Sequence, residues 1–213
     1  SGVEHIVLQQ TLRHLRLGGL REHHDDLIVD CQPRVDALRM AFLDHRVQRA
    51  GCDVGISPLA RYVAGLALHL ARAKAEAVAQ TTNGLVLGAD QLLVCEGRIF
   101  EKPRDRAEAR SHLAFLSGKR HELVGGVVAA RAGAAIWRHI STARLTMRAM
   151  DETFINDYLD EAGEDILASV GCYHLEGLGP HLMTRIEGDF FAILGLPLLA
   201  VLDMLRTQGA LRP

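Results

Sequence analysis

The stretch Gly84-Leu85-Val86-Leu87-Gly88-Ala89-Asp90 decides the fold of this chain. Residues 85–87 form a short, continuous apolar run, which is typical of a strand buried inside a central sheet. Two small residues and an aspartate follow at its C-terminal end. In α/β proteins, a carboxylate just past the end of a buried strand is a common arrangement for metal or phosphate chemistry. We therefore place Asp90 at a candidate site, although an aspartate that only caps the following turn would give the same local pattern.

Patterns on both sides of this stretch predict further helices and strands. Ser57 and Pro58 are suited to the N-cap and the first position of a helix, and the alanine-rich run after them predicts one long helix over residues 59–79. Residues 122–130 and 135–147 alternate in polarity around a glycine turn near Gly133, which indicates an antiparallel hairpin. Shorter strands are predicted at residues 5–8, 27–29, 85–87 and 91–95, and shorter helices at residues 10–17, 36–48, 105–116, 151–159 and 198–205.

Length and composition indicate an ordinary globular chain. The 213 residues are 48% hydrophobic and 23% charged, which is enough to build a sizeable core. The order of the predicted elements gives an α/β fold, a mixed twisted sheet flanked by helices. Because the sequence shows no repeat, no low-complexity tract and no linker, we expect residues 1–213 to form a single domain.

The charge and hydropathy patterns bear on partners and location. A formal net charge of -2 gives no field that would recruit nucleic acid or a membrane surface. The apolar runs fall short of the roughly 20 residues that a transmembrane helix needs, and the N-terminus lacks the pattern of a signal peptide. We therefore expect a soluble cytoplasmic protein without a nucleic-acid or membrane partner.

Four charged residues together indicate phosphate chemistry. Lys102 lies in a Glu-Lys-Pro loop, Lys74 lies on the predicted long helix, and Glu176 follows Tyr-His-Leu. With Asp90 they supply what the hydrolysis of a phosphoanhydride needs, namely charge neutralisation on the phosphates, a seat for a divalent ion and a base for water. Each lysine alone could be a solvated surface charge. Their combination predicts a nucleotide site centred on Asp90 and Lys102.

Several motifs follow one another from residue 84 onward: residues 84–90, 101–103, 116–118 with His121, 169–177, 186–189 and 193–197. In their order and spacing they resemble the Maf family of nucleotide pyrophosphatases, which is also known as the septum formation protein family. The resemblance implies an elongated α/β fold, related to that of inosine triphosphatases, with two lobes around a nucleotide-binding cleft. Members are often dimeric, so we expect a homodimer.

The resemblance also implies an activity. Maf-like enzymes hydrolyse nucleoside triphosphates, including non-standard or modified ones, to the monophosphate and pyrophosphate with a divalent cation, Mg²⁺ or Mn²⁺. They are proposed to clear non-standard or surplus nucleotides, a house-cleaning role. The expected activity of this chain is therefore that of a nucleoside-triphosphate pyrophosphatase, with a nucleotide as its substrate.

The family's functional residues carry over position by position. Asp90 matches the catalytic aspartate, which activates water or holds the metal, and Lys102 matches the lysine that contacts phosphate. Lys74 matches the lysine on the helix, and Glu176 falls where many members have glutamine, so it assists the metal or reads the base. Gln91 stands where a threonine or serine usually follows the aspartate, which would mark a subgroup with another substrate.

The N-terminal part departs from the family pattern. A loop of the type small-Ser-x-Ser-Pro-Arg-Arg is expected after the first strand, and residues 9–14 read Gln-Gln-Thr-Leu-Arg-His instead. Only Thr11 and Arg13 can take the place of its substrate-binding residues. A glutamate expected after Val35 and Asp36 is replaced by Ala37. The alternative hypothesis is therefore a weakened or inactive nucleotide-binding homologue with a regulatory role linked to cell division.

Overall fold

The computed structural model describes residues 27–30 and 58–211. The elements predicted at residues 5–8, 10–17 and 36–48, and the candidate residues Thr11 and Arg13, lie outside the described residues. The strands are β1 (Leu27–Asp30), β2 (Leu85–Cys95), β3 (Arg98–Phe100), β4 (Arg120–Arg131), β5 (Ala134–Met147) and β6 (Met183–Glu187). The α-helices are α1 (Pro58–Ala79), α2 (Arg106–Leu116), α3 (Glu152–Ala162), α4 (Phe190–Ile193) and α5 (Leu198–Thr207), with 3₁₀ turns at Glu164–Ala168 and Gly179–Leu182.

The strands form one mixed sheet, as predicted. Its order is β1-β2-β4-β5-β6, and β3 pairs with β2 as well. β1 runs parallel to β2, whereas the other pairs are antiparallel. The β4–β5 hairpin turns at Ala132 and Gly133, whose φ angles of 51° and 78° fit the left-handed turn that the glycine predicted. The mixed α/β fold is therefore confirmed.

One expectation about the sheet was wrong. The sequence predicted separate strands at residues 85–87 and 91–95 with Asp90 in a turn, but β2 is continuous over Leu85–Cys95. The reason is the long neighbouring strand, because β4 pairs with β2 without a break from Val86 to Val94. These ladder hydrogen bonds outweigh the low strand propensity of glycine and aspartate. Asp90 thus lies in the middle of a strand rather than past its end.

Helix α1 covers one face of the sheet. Alternate residues of β2 and β4, among them Val86, Leu92 and Val124, pack against its alanines. Two glycines let the helix approach closely. A Cβ atom on Gly88 would lie 2.2 Å from the carbonyl oxygen of Ala71, and one on Gly126 would lie 2.7 Å from the backbone of Ala67. Because α1 lies so close to the sheet, side chains of the helix can contact side chains of β2 and β4 directly.

The opposite face of the sheet carries two apolar clusters. A smaller one joins β2 and β4 to helix α5. The larger core cluster joins α2, α3 and the segment after α3, and includes Leu93, Leu113, Leu145, Tyr158 and Tyr173. Together with α1, these clusters place the middle of β2 between helices on both faces, as expected for a central strand.

Helices α2, α3 and α5 begin within one residue of the predicted positions, whereas the four-residue α4 was not predicted. Asp105 and Asp151 cap α2 and α3, and their carboxylates accept the backbone N–H groups of Glu108 and Phe154 at 2.8 Å. Strand β6 was missed, since most of its residues are exposed and show no buried face. No helix within the described ranges combines the length and the apolar character that crossing a membrane would require.

Candidate active site

The centre of the candidate site is an ion pair between α1 and β2. The ammonium of Lys74 donates to Oδ1 of Asp90 at 2.6 Å and to the carbonyl oxygen of Ala89 at 3.0 Å. The two side chains are only 9% and 12% exposed. Asp90 points to the α1 side of the sheet, where its strand neighbour is Gly126. The close approach of α1 at Gly88 and Gly126 therefore brings two of the predicted site residues, Lys74 and Asp90, into direct contact.

The edge of β2 beside Asp90 is open in the described part of the chain. On this edge, β1 ends with Asp30 opposite Gly88, and β3 ends with Phe100 opposite Leu93. Between them, no described strand pairs with residues 89–92 on this edge, whereas β4 pairs with these residues on the other edge. Ligands of open α/β sheets bind where strand ends meet at a break in the strand order. Asp90 is the charged residue of β2 that lies at this break.

Lys102 is positioned by the same break. It follows β3 by two residues, and β3 runs along β2 toward Asp90. Its side chain is half-buried and engaged in a contact. The sheet thus directs the chain toward the Asp90 edge just before Lys102, and the association of Lys102 with Asp90 stays a prediction.

Gln91 lies on the other face of the sheet from Asp90. Successive residues of a strand point to opposite sides, and the amide nitrogen of Gln91 donates to the carbonyl oxygen of Ala192 at 2.8 Å. The structure therefore joins Gln91 to α4 and does not bring it to the Asp90 carboxylate. Its predicted role in binding substrate stays a prediction.

Glu176 is at the tip of a turn after α3. The carbonyl oxygen of His174 accepts the N–H groups of Gly177 at 3.1 Å and of Gly179 at 2.9 Å, which closes the turn. Glu176 is exposed at this tip. Its predicted role at the metal or the base is likewise a prediction.

Comparison with known proteins identifies the family. The chain matches the family model described as Maf-like protein over residues 31–208. The chain belongs to the Maf-like family. It is 51% identical over 154 residues to a nucleoside triphosphate pyrophosphatase of Paramagnetospirillum magneticum, an alignment that covers 72% of this chain and 79% of the relative. It is 45% identical over 175 residues to a 7-methyl-GTP pyrophosphatase of Rhizobium meliloti, with 81% and 85% covered.

The donor set of this Maf-like site suits a hard divalent cation. Mg²⁺ is commonly held by one or two carboxylates together with substrate phosphates, rather than by a complete protein cage. Residues 27–30 and 58–211 contain no group of three or more His, Cys, Asp or Glu side chains that could hold a metal. The carboxylate of Asp90 offers about four lone-pair positions, so a bond from Lys74 is compatible with a cation on the same group.

Sequence patterns assigned no structural role to His121, which is buried in the core. Nε2 of His121 on β4 lies 2.8 Å from the hydroxyl of Tyr173, and the two residues are 1% and 4% exposed. Burial lowers the pKa of His121 to about 4 and raises the pKa of Tyr173, so both groups are neutral near pH 7. The pair spans 52 residues of sequence, and a local pattern carries no signal for it.

Proposed function

We propose that this Maf-like chain hydrolyses a nucleoside triphosphate to the monophosphate and pyrophosphate. The observation that carries the proposal is the buried Lys74–Asp90 pair at the open edge of β2. The names of relatives that are 45% and 51% identical support it, since both are pyrophosphatases of nucleotides. In this reaction, water attacks the α-phosphorus, the bond to the bridging oxygen of the β-phosphate breaks, and pyrophosphate leaves.

Asp90 acts on the attacking water in this proposal. Its carboxylate orients the water and accepts a proton from it, while Lys74 holds the carboxylate in place through a 2.6 Å hydrogen bond. Because the pair is nearly excluded from solvent, its charges are weakly screened and act strongly on a bound phosphate. Helix α1 and strand β2 thus supply a preorganised charged centre.

Lys102 neutralises the phosphates. Lys102 follows β3 by two residues, and we infer that its ammonium would contact a triphosphate bound at Asp90. Loss of one such stabilising contact commonly lowers kcat by a factor of about 10² to 10³. Thr11 and Arg13 would complete the binding of the phosphates from the N-terminal segment, with Glu176 at the metal or the base.

A divalent cation completes the proposed site. Asp90 and the phosphate oxygens of the substrate would hold Mg²⁺ or Mn²⁺, which when bound offsets the negative charge of the phosphates. Gln91 is proposed to affect substrate choice through α4, because its amide nitrogen is engaged by Ala192. Homodimerisation, a cytoplasmic location and the lack of nucleic-acid or membrane partners are further expectations, which sedimentation and fractionation would check.

A panel assay tests the proposed function. The purified full chain is incubated with standard triphosphates and with 7-methyl-GTP, in the presence of Mg²⁺ or Mn²⁺, and pyrophosphate and monophosphate are quantified separately. We expect equal amounts of the two products from at least one nucleotide. Orthophosphate with a nucleoside diphosphate as the products, or no release above that of Asp90→Asn with any nucleotide, would refute the proposal.

The departure of residues 9–14 from the family loop favours a second candidate function, a nucleotide-binding protein without turnover. Calorimetric titration with a non-hydrolysable triphosphate separates the two candidates. Tight binding without any product over hours would support the second candidate. Turnover at about 1 per second or faster, the low end of typical enzyme rates, would exclude it.

A further inference from the structure

The turn that carries Glu176 is closed by backbone hydrogen bonds and anchored in the core by the buried residue before Glu176. The carbonyl oxygen of His174 accepts the N–H groups of Gly177 and Gly179, and Leu175 is buried while Glu176 is exposed. The position of the Glu176 carboxylate is therefore set by how the residues directly before it are anchored in the core.

Tyr173 provides this anchor. Its ring lies in the larger core cluster, and its hydroxyl lies 2.8 Å from Nε2 of His121 on β4. Strand β4 also pairs with β2, with Gly126 opposite Asp90. The His121–Tyr173 hydrogen bond thus connects the turn of Glu176 to the same pair of strands that positions Asp90.

The segment before Tyr173 is held in a strained conformation. Cys172 is buried and has a φ of 57°, a value that residues other than glycine adopt only where the surroundings fix them. Two hydrogen bonds fix it: the hydroxyl of Tyr158 donates to the carbonyl oxygen of Cys172 at 3.0 Å, and that of Ser169 donates to Tyr173 at 2.9 Å. The backbone of the residues that lead from the core to Glu176 is therefore held in one conformation.

His121 has one buried polar atom that forms no hydrogen bond within the described part of the chain, so an apolar side chain at this position would cost less free energy of folding. The atom is Nδ1, which has no hydrogen-bond partner among the described residues. A buried polar atom without a hydrogen-bond partner destabilises the folded state, because it has lost its bonds to water. The hydrogen bond from the other ring nitrogen of His121 is directional, and it therefore fixes the orientation of the ring and hydroxyl of Tyr173 in the core.

We propose that His121 is a positioning residue, which fixes the Glu176 turn relative to Asp90 through its hydrogen bond to Tyr173. This inference rests on the proposed function and on a role of Glu176 at the bound nucleotide. His121 itself is enclosed by the core and does not touch the substrate.

A double-mutant cycle between Tyr173→Phe and Glu176→Ala tests this inference. Tyr173→Phe keeps the ring and removes only the hydroxyl. If the hydroxyl acts through Glu176, we expect Tyr173→Phe to raise KM about threefold to tenfold, the equivalent of one hydrogen bond, with a smaller change in kcat. In the Glu176→Ala background, Tyr173→Phe should then change KM hardly at all, because coupled residues are not additive.

Three variants separate positioning from general loss of stability. His121→Leu should reproduce the KM of Tyr173→Phe, whereas His121→Gln should restore much of it, since an amide can still bond to the Tyr173 hydroxyl. Leu113→Val removes one methylene group from the same cluster and is the matched control. It should lower the melting temperature without changing KM. If His121→Leu does not fold, Tyr173→Phe and His121→Gln still give the comparison.

The outcomes distinguish this inference from the proposed function. Release of pyrophosphate by the wild-type chain with additive effects in the cycle, or with the same KM shift in Leu113→Val, would overturn the inference and leave the function standing. If the wild-type chain releases no pyrophosphate, the proposed function fails, and the same cycle is measured on the Kd of a non-hydrolysable triphosphate. Additivity there, or no binding of that nucleotide, would overturn the inference as well.

Discussion

Lys74 and Asp90 lie 16 residues apart in sequence and form a 2.6 Å hydrogen-bonded ion pair across the interface of α1 and β2. The contact depends on the surrounding small residues, because Gly88 on the strand before Asp90 leaves no room for a side chain beneath Ala71. Packing and chemistry are therefore linked at this interface. A change in the distance between helix and sheet alters the charged centre directly.

Removal of Lys74 should destabilise the fold. Lys74→Ala leaves the nearly buried Asp90 carboxylate without its ammonium partner, and breaking a buried pair commonly costs about 3–5 kcal/mol. Arg72→Ala is the matched control on the same helix, since Arg72 forms an exposed pair with Glu76 of a kind worth about 0–1 kcal/mol. Urea denaturation gives the free energies of unfolding. If Lys74→Ala and Arg72→Ala lowered the free energy of unfolding by the same amount, the Lys74–Asp90 pair would stabilise the fold no more than an exposed pair does.

Substitution of Gly88 should impair both stability and activity. The Cβ of Gly88→Ala would meet the backbone of Ala71 at 2.2 Å, so α1 must move away, at a cost of about 1–3 kcal/mol. The shift should lengthen the Lys74–Asp90 contact and lower kcat. Gly97→Ala is the control: no atom lies within 4 Å of its Cβ, but its φ of 78° strains an alanine. It should lose stability with kcat unchanged, and an unchanged kcat in Gly88→Ala would contradict the link.

The free energy of unfolding should decrease as the pH is lowered, and part of this decrease should depend on His121. Its folded-state pKa, lowered by burial to about 4, is below the ordinary value of 6.5, so the unfolded chain binds the proton more tightly. The contribution of neutral His121 is complete above pH 6.5 and is lost as the pH falls toward 4. At about 1.4 kcal/mol per unit of pKa, the loss is on the order of 3 kcal/mol.

The difference between the wild-type chain and His121→Gln isolates this effect from other titrating groups. Since the glutamine does not titrate, the wild-type advantage in unfolding free energy should shrink steadily between pH 6.5 and pH 4. Denaturation at several pH values measures it. A constant difference across this range would mean that His121 is not held neutral by the fold.

Local patterns in the sequence predicted much of the fold and named Lys74 and Asp90 as candidate site residues. The alanine-rich helix, the β4–β5 hairpin and the acid-capped helices were confirmed because their signals lie within each element. The resemblance of residues 84–90 to the Maf family named Asp90, and the structure brings Lys74 to it. These features follow from periodicity, capping and motif spacing.

Features that depend on distant neighbours were missed. Glycine and aspartate at positions 88–90 signal a turn locally, and only pairing with β4 makes β2 continuous through Asp90. The placement of Gln91 on the opposite face follows from that continuity. The His121–Tyr173 bond joins residues that no local pattern relates. These three features are set by contacts between residues distant in sequence, so sequence periodicity could not predict them.

The rate of pyrophosphate release by Asp90→Asn tests the central claim most directly. The asparagine keeps the shape of the side chain and removes its charge and its basicity. With the preferred nucleotide and Mg²⁺, we expect single-turnover release to slow by a factor of about 10² to 10³ while binding of the nucleotide persists. A variant that releases pyrophosphate at the wild-type rate would contradict the assignment of the chemistry to Asp90.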